Sequence, residues 1–341
     1  MQNSITIRKA VSADIDGIAA LFNYRKAAEE LKWLLSDRAN PGSLRGLVAV
    51  DPQDKIVGHC GYVASTYAYN KGEYAGINPM TWVVLPDYYG KGIGKKLMLG
   101  VMEMGDFAVL LGGSLKTLEI FPRINFMRKF DIGIFVKVID LRRYIIGLEG
   151  NIVRRLAKTS YLVFRALKRS RSKERENSIN IAQYKRDKAP QIALPDGIFS
   201  NLASSEHVEW ILDCPLTENK AFIVNKGDRA IGIAVCCVSK DDIEGRMGRI
   251  VHLSYLGEDV SIWNEALSRL EEYFRSKGCV AISALSSSGV FMKSLAKSGW
   301  AVVGKNRLPF SLYDPKNSFR NIPDASWHFT FLEGDTGYRG I

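Results

Sequence analysis

A chain of 341 residues with 46% hydrophobic and 24% charged residues has the make-up of a globular protein long enough for two buried cores. Its 47 Lys and Arg against 36 Asp and Glu leave a net charge of +11, which favours anionic partners: nucleotides, nucleic acid or an acidic membrane surface. Five scattered cysteines without a C-x-x-C pair, and four dispersed histidines, argue against a disulfide framework or a structural zinc site, and no metal is expected. The start "MQNSITIRKA" lacks the apolar stretch of a signal peptide, and there is no run of ~20 apolar residues. A cytoplasmic protein is expected.

Ile5 and Ile7 alternate in "SITIRKA" and predict a first strand. "SADIDGIAALFN" predicts a helix, with Ser12 as N-cap and Ile15, Ile18 and Leu21 at helical spacing. A second short helix, "AAEELKWLLSD", stops at "NPGS". "GLVAVD" and "KIVGHCGYVAS" read as strands joined by "PQDK". "YAGINPMTWVVLP" is a longer strand in which Pro79 signals a bulge or an edge. A glycine-rich stretch follows, then a helix from about Gly94 to Met104. "FAVLLGG", a short helix around "LKTLEIF", and "IGIFVKVID" complete the first half.

The segment from Arg142 to Lys188 differs in kind. It holds 14 basic and 4 acidic residues, so almost all of the excess charge sits there. Within it, "NIVRRLAKTSYLVFRALKR" separates on a helical wheel into an apolar side (Ile152, Val153, Leu156, Val163, Phe164, Leu167) and a basic side. "SRSKEREN" reads as a solvated linker. Beyond it come the helix "SSEHVEWILD", a hairpin around "NKGD", the strand "GRIVHLSYL" and the helix "VSIWNEALSRLEEYFRSKG". The strand "CVAISALS", the helix "GVFMKSLAKSG" and the late strands "WAVVGK" and "SWHFTFLEGD" follow. The order repeats that of the first half, which points to a duplication of one architecture. The expected fold class is α/β (α+β): a mixed, mostly antiparallel sheet flanked by helices, present twice. The expected division is 1–141, a basic helix and linker over 142–188, and 189–341.

The stretch "PDYYGKGIGKKLM" carries the chemistry. Glycines at a strand-to-helix junction let backbone N–H groups approach a ligand closely, and the helix dipole adds partial positive charge. The result suits a pyrophosphate, with Lys91, Lys95 and Lys96 as electrostatic reinforcement. A Walker loop fails on spacing, because Lys95 is followed by Lys96. A dinucleotide fingerprint fails as well: Gly90, Gly92 and Gly94 give G-x-G-x-G, and they follow several strands instead of one.

The region resembles the GNAT acyltransferase superfamily, whose signature [QR]-x-x-G-x-[GA] matches Tyr89, Gly90, Lys91, Gly92, Ile93 and Gly94 except for Tyr89 at the first place. "VVLPDYY" resembles the family's V-x-P-E-Y-R entry, and Ser4 to about Asp140 follow its order of elements. The resemblance implies that the loop, with Lys95, holds the pyrophosphate of an acyl-CoA, by default acetyl-CoA. It also implies that the strand at Val83, Val84 and Leu85 pairs with the pantetheine arm. A backbone N–H near Val84 is then the oxyanion donor. Base candidates are Glu73 and His59, with Asn78 and Thr81 as polar groups that can hold a water. Phe121 stands where many members carry a Tyr acid, and the thiolate can leave without one.

In the second half the place of the cradle is taken by "GEDVS", where Glu258 and Asp259 repel a pyrophosphate. That half is expected not to bind CoA. Elements such as "HVEWILDCPL" resemble tandem GNAT-like proteins associated with bacterial surface-polysaccharide pathways. The expected function is transfer of an acetyl or other acyl group to a primary amine, for instance of an amino sugar. Tyr67, Tyr69, Tyr74, Trp33 and Trp82 are candidates to stack on a sugar face. The alternatives are an aminoacyl-tRNA-dependent transferase and a non-catalytic acyl-CoA-binding scaffold. Residues 150–172 read first as a linker helix whose apolar side packs between the domains and whose charged side is solvated, and second as a peripheral contact with the inner membrane face. Nucleic acid is not an expected partner, as no recognised module is present.

Overall fold

The computed structural model describes residues 4–22, 28–146, 178–186, 190, 192–240 and 246–334. The basic helix expected over 150–172 lies outside the described residues. The rest divides into two compact units. Unit 1 comprises residues 1–66, 74–130 and 309–321, and unit 2 comprises 67–73, 131–308 and 322–341.

Unit 1 starts with β1 (Thr6–Val11), a 3-10 turn (Ser12–Asp14), α1 (Ile15–Ala20) and α2 (Ala28–Leu35). The helix start expected at Ser12 is organised instead by Asp14, whose carboxylate accepts from the Val11 N–H at 2.8 Å and from Arg8 at 2.7 and 2.8 Å. Strands β2 (Ser43–Val50), β3 (Ile56–Tyr69) and β4 (Gly72–Val84) follow as an antiparallel meander. Then come α3 (Ile93–Met102), β5 (Phe107–Leu111), α4 (Leu115–Ile120) and β6 (Met127–Val138). The crossover through α3 makes β4 and β5 parallel. One face of α3 is apolar at helical spacing, and Ile93, Leu97, Met98, Val101 and Met102 are buried with Leu47, Val57 and Ile77 of the sheet. Each such side chain contributes about 1.5–3 kcal/mol of burial.

After the short helix α5 (Leu141–Ile146), unit 2 contains β7 (Ile179–Gln183), β8 (Phe199–Asn201) and α6 (Ser205–Leu212). A second meander follows: β9 (Thr217–Lys226), β10 (Arg229–Ser239) and β11 (Arg246–Leu253). It leads into α7 (Val260–Ser276), β12 (Cys279–Ser286), α8 (Gly289–Lys297) and β13 (Ala301–Tyr313). The order of elements from β9 to β13 is that of β2 to β6, and β11 and β12 are again parallel. Trp263, Ala266, Leu267, Leu270 and Phe274 form the buried stripe of α7. Glu271 beside that stripe is matched by Lys137 Nζ at 2.6 Å and Trp300 Nε1 at 3.0 Å. The late segment expected as a strand, "SWHFTFLEGD", forms only β14 (Trp327–His328). Thr330 and Glu333 then make a capping box that winds Phe331–Glu333 into a 3-10 turn.

Each unit takes its last strand from the other repeat. In unit 1, Phe310–Tyr313 of β13 pair with Ala108–Leu111 of β5. In unit 2, Gly133–Val138 of β6 pair with Ala281–Ser286 of β12. Beyond β13, the ring of Phe319 meets those of Phe107 at 4.8 Å and Tyr74 at 4.9 Å.

Two outcomes follow for stability. A fragment of residues 1–141 lacks Pro309–Asn321, and so leaves the β5 edge unpaired and Phe107 uncovered. It is expected to aggregate and to show no cooperative melt by circular dichroism, whereas the full chain melts cooperatively. The second concerns His328, whose Nε2 donates to the Leu253 carbonyl at 2.8 Å among Tyr255, Trp263 and Phe291. Burial pushes this imidazole down to about 4, against 6.5 for the unfolded chain. A depressed folded value means that the contribution is complete above 6.5 and is lost as pH falls toward 4. Relative to His328→Gln, the wild type should therefore lose up to ~1.4 kcal/mol per pH unit between 6.5 and 5, read by urea unfolding at each pH. A difference that does not vary with pH would contradict this.

Candidate active site

The cradle begins where β4 ends. Leu85 N–H donates to the Val57 carbonyl at 2.9 Å, which keeps the strand's end on β3. Pro86–Tyr88 then form a 3-10 turn, and the Tyr88 hydroxyl donates to Asp51 Oδ2 at 2.8 Å. Asp51 also accepts from the Lys55 and Gln53 N–H groups, and these bonds, with Lys55 first, hold its carboxyl below the usual range. Thus a fixed turn in the β2–β3 loop anchors the entry to the glycine stretch.

Gly90 (φ 77°) and Gly92 (φ 74°) are left-handed, a conformation that side-chain-bearing residues adopt only under strain. A Cβ at either would meet nothing within 4 Å, so the loop faces open space. Gly92 is the N-cap of α3 and offers no side chain to the helix. Lys96 N–H is the first to bond within the helix, to the Gly92 carbonyl at 3.1 Å. The N–H groups of Ile93, Gly94 and Lys95 therefore have no intrahelical acceptor and point out of the helix end together with the positive end of its dipole. Lys91, Lys95 and Lys96 are exposed around them. Lys91 Nζ lies 4.6 Å over the Tyr88 ring, and Lys116 Nζ of α4 lies 4.6 Å over the Tyr89 ring. Gly94 has a different part: its carbonyl accepts from Trp82 Nε1 at 3.0 Å, which ties the first turn of α3 to β4.

The second feature is a fork. β4 pairs with β5 at only two positions, Gly76↔Phe107 and Ile77↔Ala108. The fork's base is pinned by Asp106, whose N–H donates to the Ala75 carbonyl at 2.8 Å and whose Oδ2 accepts from the Ala75 N–H at 3.0 Å. Gly105 is needed there, since a Cβ would come within 2.5 Å of Ile77 and 2.9 Å of the Ala75 carbonyl. Past Ile77 the strand continues to Val84 without β5. Pro79 stands in this stretch, where a residue with no N–H cannot donate to a ladder, and Thr81 carries a φ of 50°. Val83, Val84 and Leu85 are half-buried along it. The uncapped helix end and the open strand edge belong to one strand–turn–helix unit.

The residues read as acyl-CoA-binding, Val83 to Leu85 and Tyr89 to Lys95, thus come together. The base candidates do not join them. His59 is fully buried, with Nδ1 3.2 Å from the Thr81 carbonyl. Glu73 is exposed at the β3–β4 hairpin tip, eleven residues before Val84, and belongs to unit 2. Phe121 is buried against Phe126 at 5.1 Å and offers no hydroxyl. Among the aromatic candidates, Tyr67 is buried between Phe199 and Phe329, Tyr69 leans on Phe199, and Tyr74 sits edge-on to Phe319. Trp33 is half-buried on α2, and Trp82 serves the helix tie. Sequence reasoning missed Asp51, Asp106 and Lys116. Only Lys116 left a signal, a cation in the first turn after a second glycine pair.

The corresponding place in the second repeat is closed. The α7 N-cap is Asp259, whose carboxylate accepts from Ser261 N–H at 2.8 Å and Ser261 Oγ at 2.7 Å. Glu258 beside it accepts from the Tyr255 hydroxyl. β11 and β12 keep five register pairs, from Arg246↔Cys279 to Ile250↔Ala284. Among the described residues of that repeat, neither an open helix end nor a short fork is present at this place. Among the described residues of the chain, no helix is long and apolar enough to cross a membrane.

Residues 16–113 match the model of the Acetyltransferase (GNAT) family. No curated protein matches the chain in sequence. Among solved structures, a GCN5-related N-acetyltransferase from Anabaena variabilis ATCC 29413 is 10% identical with a TM-score of 0.56, over 91% of this chain and 72% of that one. Saccharomyces cerevisiae N-myristoyltransferase with bound myristoyl-CoA is 10% identical with a TM-score of 0.57, over 92% and 80%. A GCN5-related glucosamine N-acetyltransferase region of a fungal multi-domain GH3 beta-N-acetylglucosaminidase is 13% identical with a TM-score of 0.54, over 92% of this chain and 38% of that one. Residues 16–113 thus carry the sequence pattern of the GNAT acetyltransferase family, and the chain has the fold of the solved N-acyltransferases that it resembles.

Proposed function

We propose that this chain transfers an acyl group from acyl-CoA to a primary amine, with the chemistry in the first repeat. One observation carries the reading: the uncapped N-terminus of α3 behind Gly92 stands on the same strand–turn–helix unit as the open edge of β4. The N–H groups of Gly92, Ile93, Gly94 and Lys95 suit a pyrophosphate, and Lys91, Lys95 and Lys96 add opposite charge. Val83, Val84 and Leu85 suit the amides of a pantetheine arm, which would hydrogen-bond as an added strand does.

The amine nitrogen attacks the thioester carbonyl carbon, and a C–N bond forms while the carbonyl oxygen takes the charge. A backbone N–H near Val84 donates to that oxyanion. Collapse breaks the C–S bond, and CoA leaves as a thiolate, whose ordinary pKa of ~8.5 needs no acid at the position of Phe121. The surplus amine proton is assigned to water, because His59 is enclosed and Glu73 stands at the hairpin tip.

Acetyl-CoA is the donor we favour, and an amino sugar of surface-polysaccharide synthesis is the favoured acceptor. The glucosamine N-acetyltransferase region among the structural neighbours supports that choice by analogy of fold. Residues 1–141 would be the active repeat, 142–188 the basic connection and 189–341 a degenerate repeat that takes no CoA. The aminoacyl-tRNA reading has no comparable support, since it makes no use of the cradle.

Titration calorimetry with acetyl-CoA is expected to show one site per chain. Gly92→Glu should abolish binding by setting a carboxylate in the anion site. Gly92→Ala, with the same backbone strain of about 1–3 kcal/mol but no charge, should weaken binding less. Both should still unfold cooperatively, and unchanged affinity in Gly92→Glu would reduce the loop to a turn. A second measurement, thiol release from acetyl-CoA across a panel of amino sugars, should find an acceptor. Binding without release for any amine would favour the scaffold reading.

A further inference from the structure

Thr81 lies inside β4 yet has a φ of 50°. A β-branched residue in the left-handed region is strained by about 1–3 kcal/mol and persists only where its surroundings hold it. On the neighbouring strand β3, the imidazole of His59 is fully buried, with Nδ1 3.2 Å from the Thr81 carbonyl oxygen and 3.3 Å from Thr81 Oγ1. A carbonyl oxygen can only accept, so in the bond to it Nδ1 carries the proton and donates.

The adjacent backbone is hollowed to fit this pair. Gly46 of β2 and Gly61 of β3 are register partners. A Cβ on Gly46 would lie 2.9 Å from His59 Nε2, and one on Gly61 would lie 2.7 Å from Thr81 Oγ1 and 3.1 Å from His59 Cε1. Neither glycine is among the positive-φ residues, so what they supply is space. Facing glycines weaken a strand pair, and here the room they leave is filled by the ring and the hydroxyl together with the Leu35 side chain and the Cys60 carbonyl. On the far side of the kink, Trp82 is tied to Gly94 at 3.0 Å and Leu85 to Val57 at 2.9 Å. The strand that leaves the kink is therefore held by bonds to β3 and to the first turn of α3.

We infer that His59 is a positioning residue: by holding the Thr81 carbonyl it fixes the kink in β4, and the kink aims the N–H groups of Trp82 to Val84 at the reacting thioester. This rests on the acyl-transfer reading above. The ring itself touches no substrate and acts through the backbone of Thr81. The same burial that removes His59 from the role of base makes it effective in this one.

A double-mutant cycle tests the inference. His59→Leu keeps bulk and removes the donor, His59→Asn keeps a donor near the place of Nδ1, and Thr81→Gly adopts the left-handed conformation unaided. His59→Leu should lower kcat on the order of 10- to 100-fold, with KM for acetyl-CoA within about threefold. His59→Asn should stay within about threefold of wild type, and in the Thr81→Gly background the loss from His59→Leu should shrink to about that size. Equal losses in both backgrounds, or a loss in KM alone, would overturn the inference. Thermal unfolding gives a second cycle that needs no substrate. His59→Leu should lower Tm more with Thr81 present than with Thr81→Gly, and a protein rescued from misfolding by Thr81→Gly would support the inference, whereas equal destabilisation or misfolding in both would overturn it. Failure of the wild type to bind acetyl-CoA would instead overturn the acyl-transfer reading, while the melting cycle still decides whether His59 holds Thr81.

Discussion

The separation of β4 from β5 after two register pairs is the constraint on which the site depends. Backbone N–H and C=O groups cannot be left without partners, so a strand that leaves its neighbour must present them to water or to a ligand. The fork stays open because both prongs are held elsewhere. β4 is held by β3 through Leu85 and Val57, and β5 by the Phe310–Tyr313 pairing and by the bond from Gly112 N–H to the Pro309 carbonyl. Asp106, at the base, also meets Lys316 Nζ at 3.4 Å, across 210 positions of sequence. A segment far downstream thus holds the β5 prong and the base of the fork. Helix α3 lies over the same strands through its apolar face, which is why its N-terminus opens at the end of β4.

The two repeats differ at few places. Both run through a meander, a helix, a parallel strand, a second helix and a last strand. They differ at a helix N-cap and in the length of a parallel pairing. At α7 the Asp259 carboxylate satisfies a terminal N–H and places its own negative charge on the positive end of the dipole, so a second anion gains little and meets repulsion. At α3 the N-cap is Gly92, and the same groups remain on offer. The proposed division of roles between the repeats rests on these local differences on a shared architecture.

The sequence made the cradle legible because left-handed glycines beside lysines before an apolar helix have few other uses. The helices α2, α3, α6, α7 and α8 were legible from periodicity. What it hid depends on distant partners. "WAVVGK" predicts a strand ending at residue 305, but β13 runs to Tyr313, since Pro309 reads as a stop and the pairing of Phe310–Tyr313 with β5 is not local. The short strands β7 and β8 carry too few residues for a period. "SWHFTFLEGD" alternates like a strand, yet the capping box of Thr330 and Glu333 competes locally and wins. His59 read as a lone strand histidine; its place depends on Thr81 of β4 and on room left by Gly46 and Gly61, on two different strands.

Tyr89 bears on how far a departure from the family pattern matters. Its backbone is extended, with φ −63° and ψ 153°, a conformation any residue adopts. The residue is 57% exposed, and its ring lies under Lys116. The turn that positions Gly90 is held by Tyr88 on Asp51 and by the Tyr89 N–H on the Pro86 carbonyl at 3.0 Å, and neither bond involves the Tyr89 side chain. Replacing a Gln or Arg here therefore removes one side-chain donor and leaves the backbone cradle as it was. A cation is still present at that rim, but it comes from α4 and is held by the face of the ring that replaced it, at a cation–π strength of about 0.5–1 kcal/mol for an exposed pair.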